Sequence, residues 1–129
     1  MPSDRPAPKP CLFVGASRRE LKALPAAVQD EIGHALYVAQ CGGEPVSAKA
    51  LKGFGGRGVL EIVEDFDGDT YRAIYTVRFA AAVYVLRAFQ KKSKKGIATP
   101  KAEIELIKAR LRAAEDDYRD RFKTGVREP

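Results

Sequence analysis

Between two apolar, β-branched runs at residues 59–66 and 71–79 stands the dipeptide Asp67-Gly68, and it leaves the chain little choice of local path. Asp-Gly flanked by such runs predicts a tight hairpin turn. After the turn, Tyr71, Ala73, Tyr75, Val77 and Phe79 alternate with Arg72, Ile74, Thr76 and Arg78, the period of two of a β-strand. Residues 80–82 make a short connection to a further apolar run at 83–89, so three consecutive antiparallel strands form a meander. Parity assigns Arg72 and Arg78 to one face and Tyr71, Tyr75 and Phe79 to the other. An arginine turned into a core needs a buried partner, so the arginine face is expected to be open. The alternative pairs Arg72 and Arg78 with Glu61, Glu64 or Asp65 on the adjacent strand.

The remaining segments surround this meander. Residues 11–14 form a short apolar run closed by Gly15 and read as a first strand. Ser17 and Glu20 have the spacing of a capping box, which predicts a helix start. Pro25 interrupts that helix and suits the first turn of a second one. There Val28, Ile32, Ala35, Leu36 and Ala39 fall on one stripe, and Gly42-Gly43 ends the helix. Residues 44–58 are glycine-rich and irregular. Their 52–58 stretch lacks the G-x-x-x-x-G-K-[ST] spacing and leads into a strand, which excludes a nucleotide P-loop. Thr99 as N-cap and Pro100 at the first helical position open a last helix with the stripe Ile104, Ile107, Leu111, Ala114, Tyr118 and Phe122. The expected order is β-α-α-β-β-β-α, a small α+β domain with one twisted, mainly antiparallel sheet. At 129 residues one domain is expected over 11–123. Residues 1–10, with four prolines and no apolar segment, are expected to be an extended lead-in rather than a secretory signal, and 124–129 a flexible tail.

Charge is distributed unevenly over this frame. The formal net charge is +6, yet residues 70–102 hold Arg72, Arg78, Arg87, Lys91, Lys92, Lys94, Lys95 and Lys101 with no Asp or Glu. The rest of the chain is slightly acidic. Cations gathered in one supersecondary unit point to a site for a polyanion, against the alternative of a solvated charged face. Beside the arginine face would lie Lys91, Lys92 and Lys94, with Arg57 within reach. His34 is the only histidine, which excludes a two-histidine ribonuclease mechanism and histidine-based metal sites. Tyr71, Tyr75 and Tyr84 are able to stack on bases, but tyrosines in strands belong more often to the core. The acidic turn Asp65, Asp67, Asp69 is too short for an EF-hand and reads as a hairpin tip. Cys11 and Cys41 have no partner pattern and read as buried thiols of a reducing cytoplasm. No apolar run approaches the roughly 20 residues that span a bilayer.

Particular residues resemble a known family. Gly58-Val59-Leu60-Glu61-Ile62, Tyr71-Arg72 and Val83-Tyr84-Val85-Leu86 are similar to the phage-derived branch of the HigB toxins. So are Ala88-Phe89-Gln90-Lys91-Lys92-Ser93-Lys94-Lys95, then Thr99-Pro100-Lys101 with Glu103-Ile104-Glu105. That branch belongs to the RelE/ParE superfamily of bacterial toxin–antitoxin modules. The resemblance runs from about residue 12 to 111 and is densest over 52–105. It implies the RelE fold and a ribosome-dependent mRNA endoribonuclease that needs no metal or other cofactor, in which a ribose 2′-OH attacks the adjacent phosphate to leave a 2′,3′-cyclic phosphate. By position it implies that Arg72 stabilises the phosphate in the transition state and that Lys91 and Lys92 flank the scissile linkage. It further implies that Lys52 and Arg57 bind the RNA backbone or ribosomal RNA, with Arg78, Lys94 and Lys95 completing the basic surface. Several family members place a histidine or tyrosine where this chain has Phe89-Gln90-Lys91, which leaves a lysine of lowered pKa as one candidate base. The implied partner is a cognate antitoxin, often of helix-turn-helix type, covering the basic surface in the cytoplasm. The alternative is a non-catalytic binding protein on the same fold, either gyrase-directed or an inactive prophage remnant.

Overall fold

The structure, a computed structural model, describes residues 7–56, 58–91 and 99–126, with side chains described as far as Phe122. Within them the order is β1 (Cys11–Phe13), α1 (Ser17–Lys22), α2 (Ala26–Gln40), β2 (Ala48–Ala50), β3 (Val59–Phe66), β4 (Asp69–Thr76), β5 (Val83–Lys91) and α3 (Lys101–Val126). The expected order gains one strand: β2, three residues in the segment read as irregular, pairs antiparallel with β3. The sheet runs β1-β5-β4-β3-β2, with β1 parallel to β5 and the other pairs antiparallel.

The hairpin forms where Asp67-Gly68 places it. Phe66 pairs with Asp69, and Asp67 (φ +51°) and Gly68 (φ +84°) both take the left-handed backbone of a two-residue turn. In α2 the stripe Val28, Ile32, Ala35, Leu36 and Ala39 is buried as its spacing predicts. It ends in paired bonds from Gly42 N–H to Ala39 C=O (3.0 Å) and from Gly43 N–H to Val38 C=O (2.9 Å).

Helices cover both faces of the sheet. On one side α1 and α2 press Leu21, Val28, Ile32 and Leu36 onto Ile62, Tyr71, Tyr75 and Val85. On the other, α3 sets Ile107, Leu111 and Ala114 against Phe54, Ile74, Tyr84 and Leu86. Tyr84 donates its hydroxyl hydrogen bond to Asp117 (2.5 Å), and Phe79 stacks on Tyr118 with ring centroids 4.6 Å apart. The face carrying Arg72 is therefore not open. It lies beneath α3, whose apolar stripe needs a sheet surface as much as the α1–α2 layer does. Alternation in β4 separates two cores rather than core from water.

A register shift between Ile74 and Tyr75 changes the reading of β5. Ile74 pairs with Arg87 and Tyr75 with Val85, so Leu86 is an extra residue. Before the bulge Val83 and Val85 face α1 and α2; after it Arg87, Phe89 and Lys91 face α3. Strict period two would have driven Arg87 into the α1–α2 core.

Ser17 and Glu20 do not form a capping box. Ala16 holds the N-cap position and no side chain caps α1. The Ser17 hydroxyl accepts from Val14 N–H (3.1 Å) and donates to Val85 C=O (2.9 Å). Glu20 finishes the edge of β5 beyond the end of β1: its carboxylate accepts from Ala88 N–H (3.3 Å), while Arg110 donates to Leu86 C=O (2.9 Å). Arg110 holds Glu20 through two bonds of 2.8 and 2.9 Å, and Arg87 bridges Glu20 (2.9 Å) to Glu103 (2.6 and 2.8 Å). Four charged side chains thus join α1, β5 and α3, doing at the sheet edge what a further strand would do. Both thiols are free; Cys41 is exposed rather than buried, and burial pushes half-buried Cys11 up to about 11. No helix among the described residues is long and apolar enough to cross a membrane.

Candidate active site

Beyond β2 the chain folds back as a glycine-rich loop before entering β3. Leu51 and Phe54 anchor it in the α3-side core, and Leu51 N–H bonds Val59 C=O (3.0 Å). The loop closes at Gly58, whose φ of +75° and whose position, with Arg78 N 3.3 Å from where a Cβ would stand, both call for glycine. Between this loop, β2 and the start of α3 opens a cleft of about 340 Å³. Lys49 and Lys52 line it with Gly53, Thr99 and Ile104, and Glu61 reaches it from β3.

Glu61 is the hub. It projects from β3 on the α3 side and is only 5% exposed. Its Oε1 accepts from Arg72 Nη1 at 2.8 Å and from the Thr99 hydroxyl at 3.4 Å, and its Oε2 lies 3.8 Å from Lys49 Nζ. Arg72 also donates to the Thr99 hydroxyl at 3.3 Å. Thr99 was expected to cap α3; instead its hydroxyl is drawn to Arg72 and Glu61, and Pro100 immediately precedes the helix, accepting from Ile104 N–H (3.0 Å). The result is a buried carboxylate held between a buried guanidinium and a lysine-lined opening. A carboxylate so placed can take a proton from a group entering the cleft, and the two lysines can hold an anion at its mouth.

Of the residues expected to form the site, the structure gathers some and separates others. Arg72 is 5% exposed and lies one layer below the opening, so it is not the surface cation expected of an open face. The alternative pairing with Glu61 is the one realised. Lys91 ends β5 opposite Thr70 and, through the bulge, shares the face of Arg72, itself buried at 8% exposure. Lys52 is exposed and lines the cleft. Arg78 is not brought there: β4 ends at Thr76, and Arg78 pairs instead with Glu115 of α3 (2.7 Å). Arg57, Lys92, Lys94 and Lys95 lie outside the described residues. Tyr71, Tyr75 and Tyr84 are core residues, and burial pushes Tyr75 up to about 12, so none is placed to stack on a base or shuttle a proton at neutral pH. His34 is exposed on α2, by Glu31, Glu44 and Glu64 on the opposite side of the sheet. Among the described residues no three His, Cys, Asp or Glu side chains converge on a possible metal position.

Sequence reasoning missed Glu61, Thr99 and Lys49 as site residues. Glu61 was visible as a candidate partner of Arg72, an acid set between Leu60 and Ile62 on the face that takes Arg72. Nothing in the chain announced Lys49, because β2 is too short to show a period.

The family described as "Phage derived protein Gp49-like" matches residues 19–112. No curated protein sequence gives a significant match. Among solved structures, a chain of the toxin–antitoxin complex RelBE2 from Mycobacterium tuberculosis is 21% identical with a TM-score of 0.47, the match covering 66% of this chain and 100% of that one.

Proposed function

The chain belongs to the phage-derived Gp49-like family, and we propose that it is the toxin of a bacterial type II toxin–antitoxin module, an endoribonuclease that cuts mRNA on the ribosome. The observation that carries this reading is the buried Arg72–Glu61 pair at the base of a cleft edged by Lys49 and Lys52. RNA cleavage without an external nucleophile needs a base for the 2′-OH, cations around the phosphorane and an acid for the leaving 5′-oxygen. Glu61 takes the 2′-OH proton as the 2′-oxygen bonds to phosphorus. Lys49 and Lys52 hold the phosphate oxygens as negative charge builds on them. The P–O5′ bond then breaks, Lys91 or Lys92 protonates the 5′-oxygen, and the products are a 2′,3′-cyclic phosphate and a 5′-hydroxyl. Arg72 fixes the Glu61 carboxylate and places a positive charge beneath the reacting phosphate. Glu61 thus takes the role for which a lysine of lowered pKa was the sequence-based candidate. The cognate antitoxin, of helix-turn-helix type, covers the basic surface in the cytoplasm.

A second reading, a non-catalytic binding protein on the same fold, is favoured by the depth of Arg72, which Glu61 and Thr99 already engage. Induced expression in bacteria with primer extension on cellular mRNA separates the two. Growth arrest with discrete cuts, lost in Arg72→Ala, supports the nuclease. Arrest with intact mRNA moves the target to gyrase or another protein.

A further inference from the structure

A second cationic cleft lies on the α3 side, across the glycine-rich loop from the first. It measures about 320 Å³ and is lined by Arg78, Lys108, Arg112 and Glu115 over a floor of Phe54 and Leu111. Lys108, Arg112 and Glu115 stand at i, i+4 and i+7 of α3 and so share one face of that helix. Arg78 comes from just beyond β4, where Gly58 packs closely against its backbone, 3.3 Å from a Cβ position to Arg78 N. Buried Phe54 projects from the loop into the second cleft, while Leu51, Lys52 and Gly53 of the same loop line the first.

We propose that this cleft is a second phosphate subsite, which holds a backbone phosphodiester of RNA a few nucleotides from the linkage at Glu61. The inference rests on the reading of the chain as an RNA-directed protein. Three observations support it. Three cations face one carboxylate, and that carboxylate is already engaged by Arg78 at 2.7 Å, which leaves Lys108 and Arg112 directed at an anion. The floor is apolar and buried, so the cations act against a low-dielectric wall rather than in open water. The spacing also fits. Ile104 of the first cleft and Arg112 of the second are eight residues apart on α3, about 12 Å at 1.5 Å per residue. A single strand a few nucleotides long covers that distance. Glu115 acts as a gate: a phosphate entering the cleft competes with it for Arg78.

The test is fluorescence anisotropy over a range of salt concentrations, with two probes: a fully 2′-O-methylated single-stranded RNA oligonucleotide, which binds but cannot be cut, and ribosomes stripped of mRNA. The variant Lys108→Gln/Arg112→Gln should flatten the dependence of log K on log salt by about 0.7, the share of the one phosphate that the cleft holds. Glu115→Gln, which releases Arg78, should tighten binding several-fold. Arg119→Gln, an exposed cation on the same helix already paired with Asp116, should change neither. Loss on the oligonucleotide assigns the cleft to the strand being cut, and loss on ribosomes alone assigns it to ribosomal RNA. An unchanged slope on both probes, or an Arg119→Gln effect as large per charge, overturns the subsite. A wild type that binds RNA through this cleft but cuts none would remove the nuclease reading and leave the subsite standing. A wild type that binds neither probe removes both.

Discussion

Replacing Glu20 with leucine tests whether a charged cluster really substitutes for a missing edge strand. In the native protein the Glu20 carboxylate receives two bonds from Arg110, one from Arg87 and one from Ala88 N–H. After Glu20→Leu, Arg87 keeps both bonds to Glu103, but Arg110 keeps only Leu86 C=O and Ala88 N–H loses its acceptor. Breaking a fully buried ion pair costs about 3–5 kcal/mol. The Glu20 and Arg110 side chains are 17% and 14% exposed, which places this loss lower, at about 2–3 kcal/mol. For a chain of this size that is a fall in Tm of roughly 6–12 °C. Urea denaturation of the two single variants Glu20→Leu and Arg110→Leu and of their double closes the cycle. The double should cost about 1–2 kcal/mol less than the sum, because each single variant already removes the shared interaction. The pH dependence gives an independent reading. Burial pushes the Glu20 carboxyl up, but Arg110, Ala88 N–H and Arg87 together hold it below its ordinary 4.5. The native state therefore keeps Glu20 ionised to lower pH than the unfolded chain does. Its contribution is complete above about pH 4.5 and is lost as pH falls through the native value. Stability should thus fall less steeply below that pH in Glu20→Leu than in wild type. Additivity within about 0.5 kcal/mol, together with parallel pH curves, would refute the cluster as an edge device.

Three further outcomes follow from the same geometry. Gly58→Ala should destabilise by about 2–3 kcal/mol, because a left-handed backbone and the approach to Arg78 N combine; Gly56→Ala, with a similar φ but open space around it, should cost about 1–2 kcal/mol in the same denaturation series. Ile107→Ala, at a fully buried position under α3, should cost about 2–5 kcal/mol, and Val46→Ala, at a fully exposed one, less than about 0.5 kcal/mol. A thiol reagent at neutral pH should label exposed Cys41 in the native protein well before Cys11, whose thiol is half-buried and pushed up to about 11; mass spectrometry of the adducts reads the order.

Features set by short-range chemistry were legible in the chain. Asp67-Gly68 specified its turn, the α2 stripe named its own buried residues, and Ile107, Leu111 and Ala114 marked the face of α3 that packs. Features set by partners distant in sequence were not. Ser17 and Glu20 match a local capping pattern, but Val85, Arg87 and Arg110 offered them stronger partners once β5 lay alongside. The bulge at Leu86 reversed the parity of Arg87 and Lys91, and no periodicity analysis of a continuous apolar run reveals an extra residue. Arg72 was read as exposed because charge belongs in water, a rule that lapses where Glu61 waits on the neighbouring strand. The candidate site was therefore half visible: Arg72, Lys52 and one possible Arg72–Glu61 pairing from the sequence, the part of Thr99 and Lys49 only from the fold.

The central claim is that Glu61 takes the 2′-OH proton in an RNA cleavage confined to the lysine-lined cleft. Its most direct test is the end chemistry and rate of mRNA cleavage by purified protein on ribosomes with chelator present, for wild type and Glu61→Gln, with Tm measured alongside. The account predicts 2′,3′-cyclic phosphate and 5′-hydroxyl ends, and a rate lower by about 10²–10⁴ in a Glu61→Gln protein that remains folded. Ends carrying a 3′-hydroxyl and a 5′-phosphate, or cleavage by folded Glu61→Gln at the wild-type rate, would contradict it.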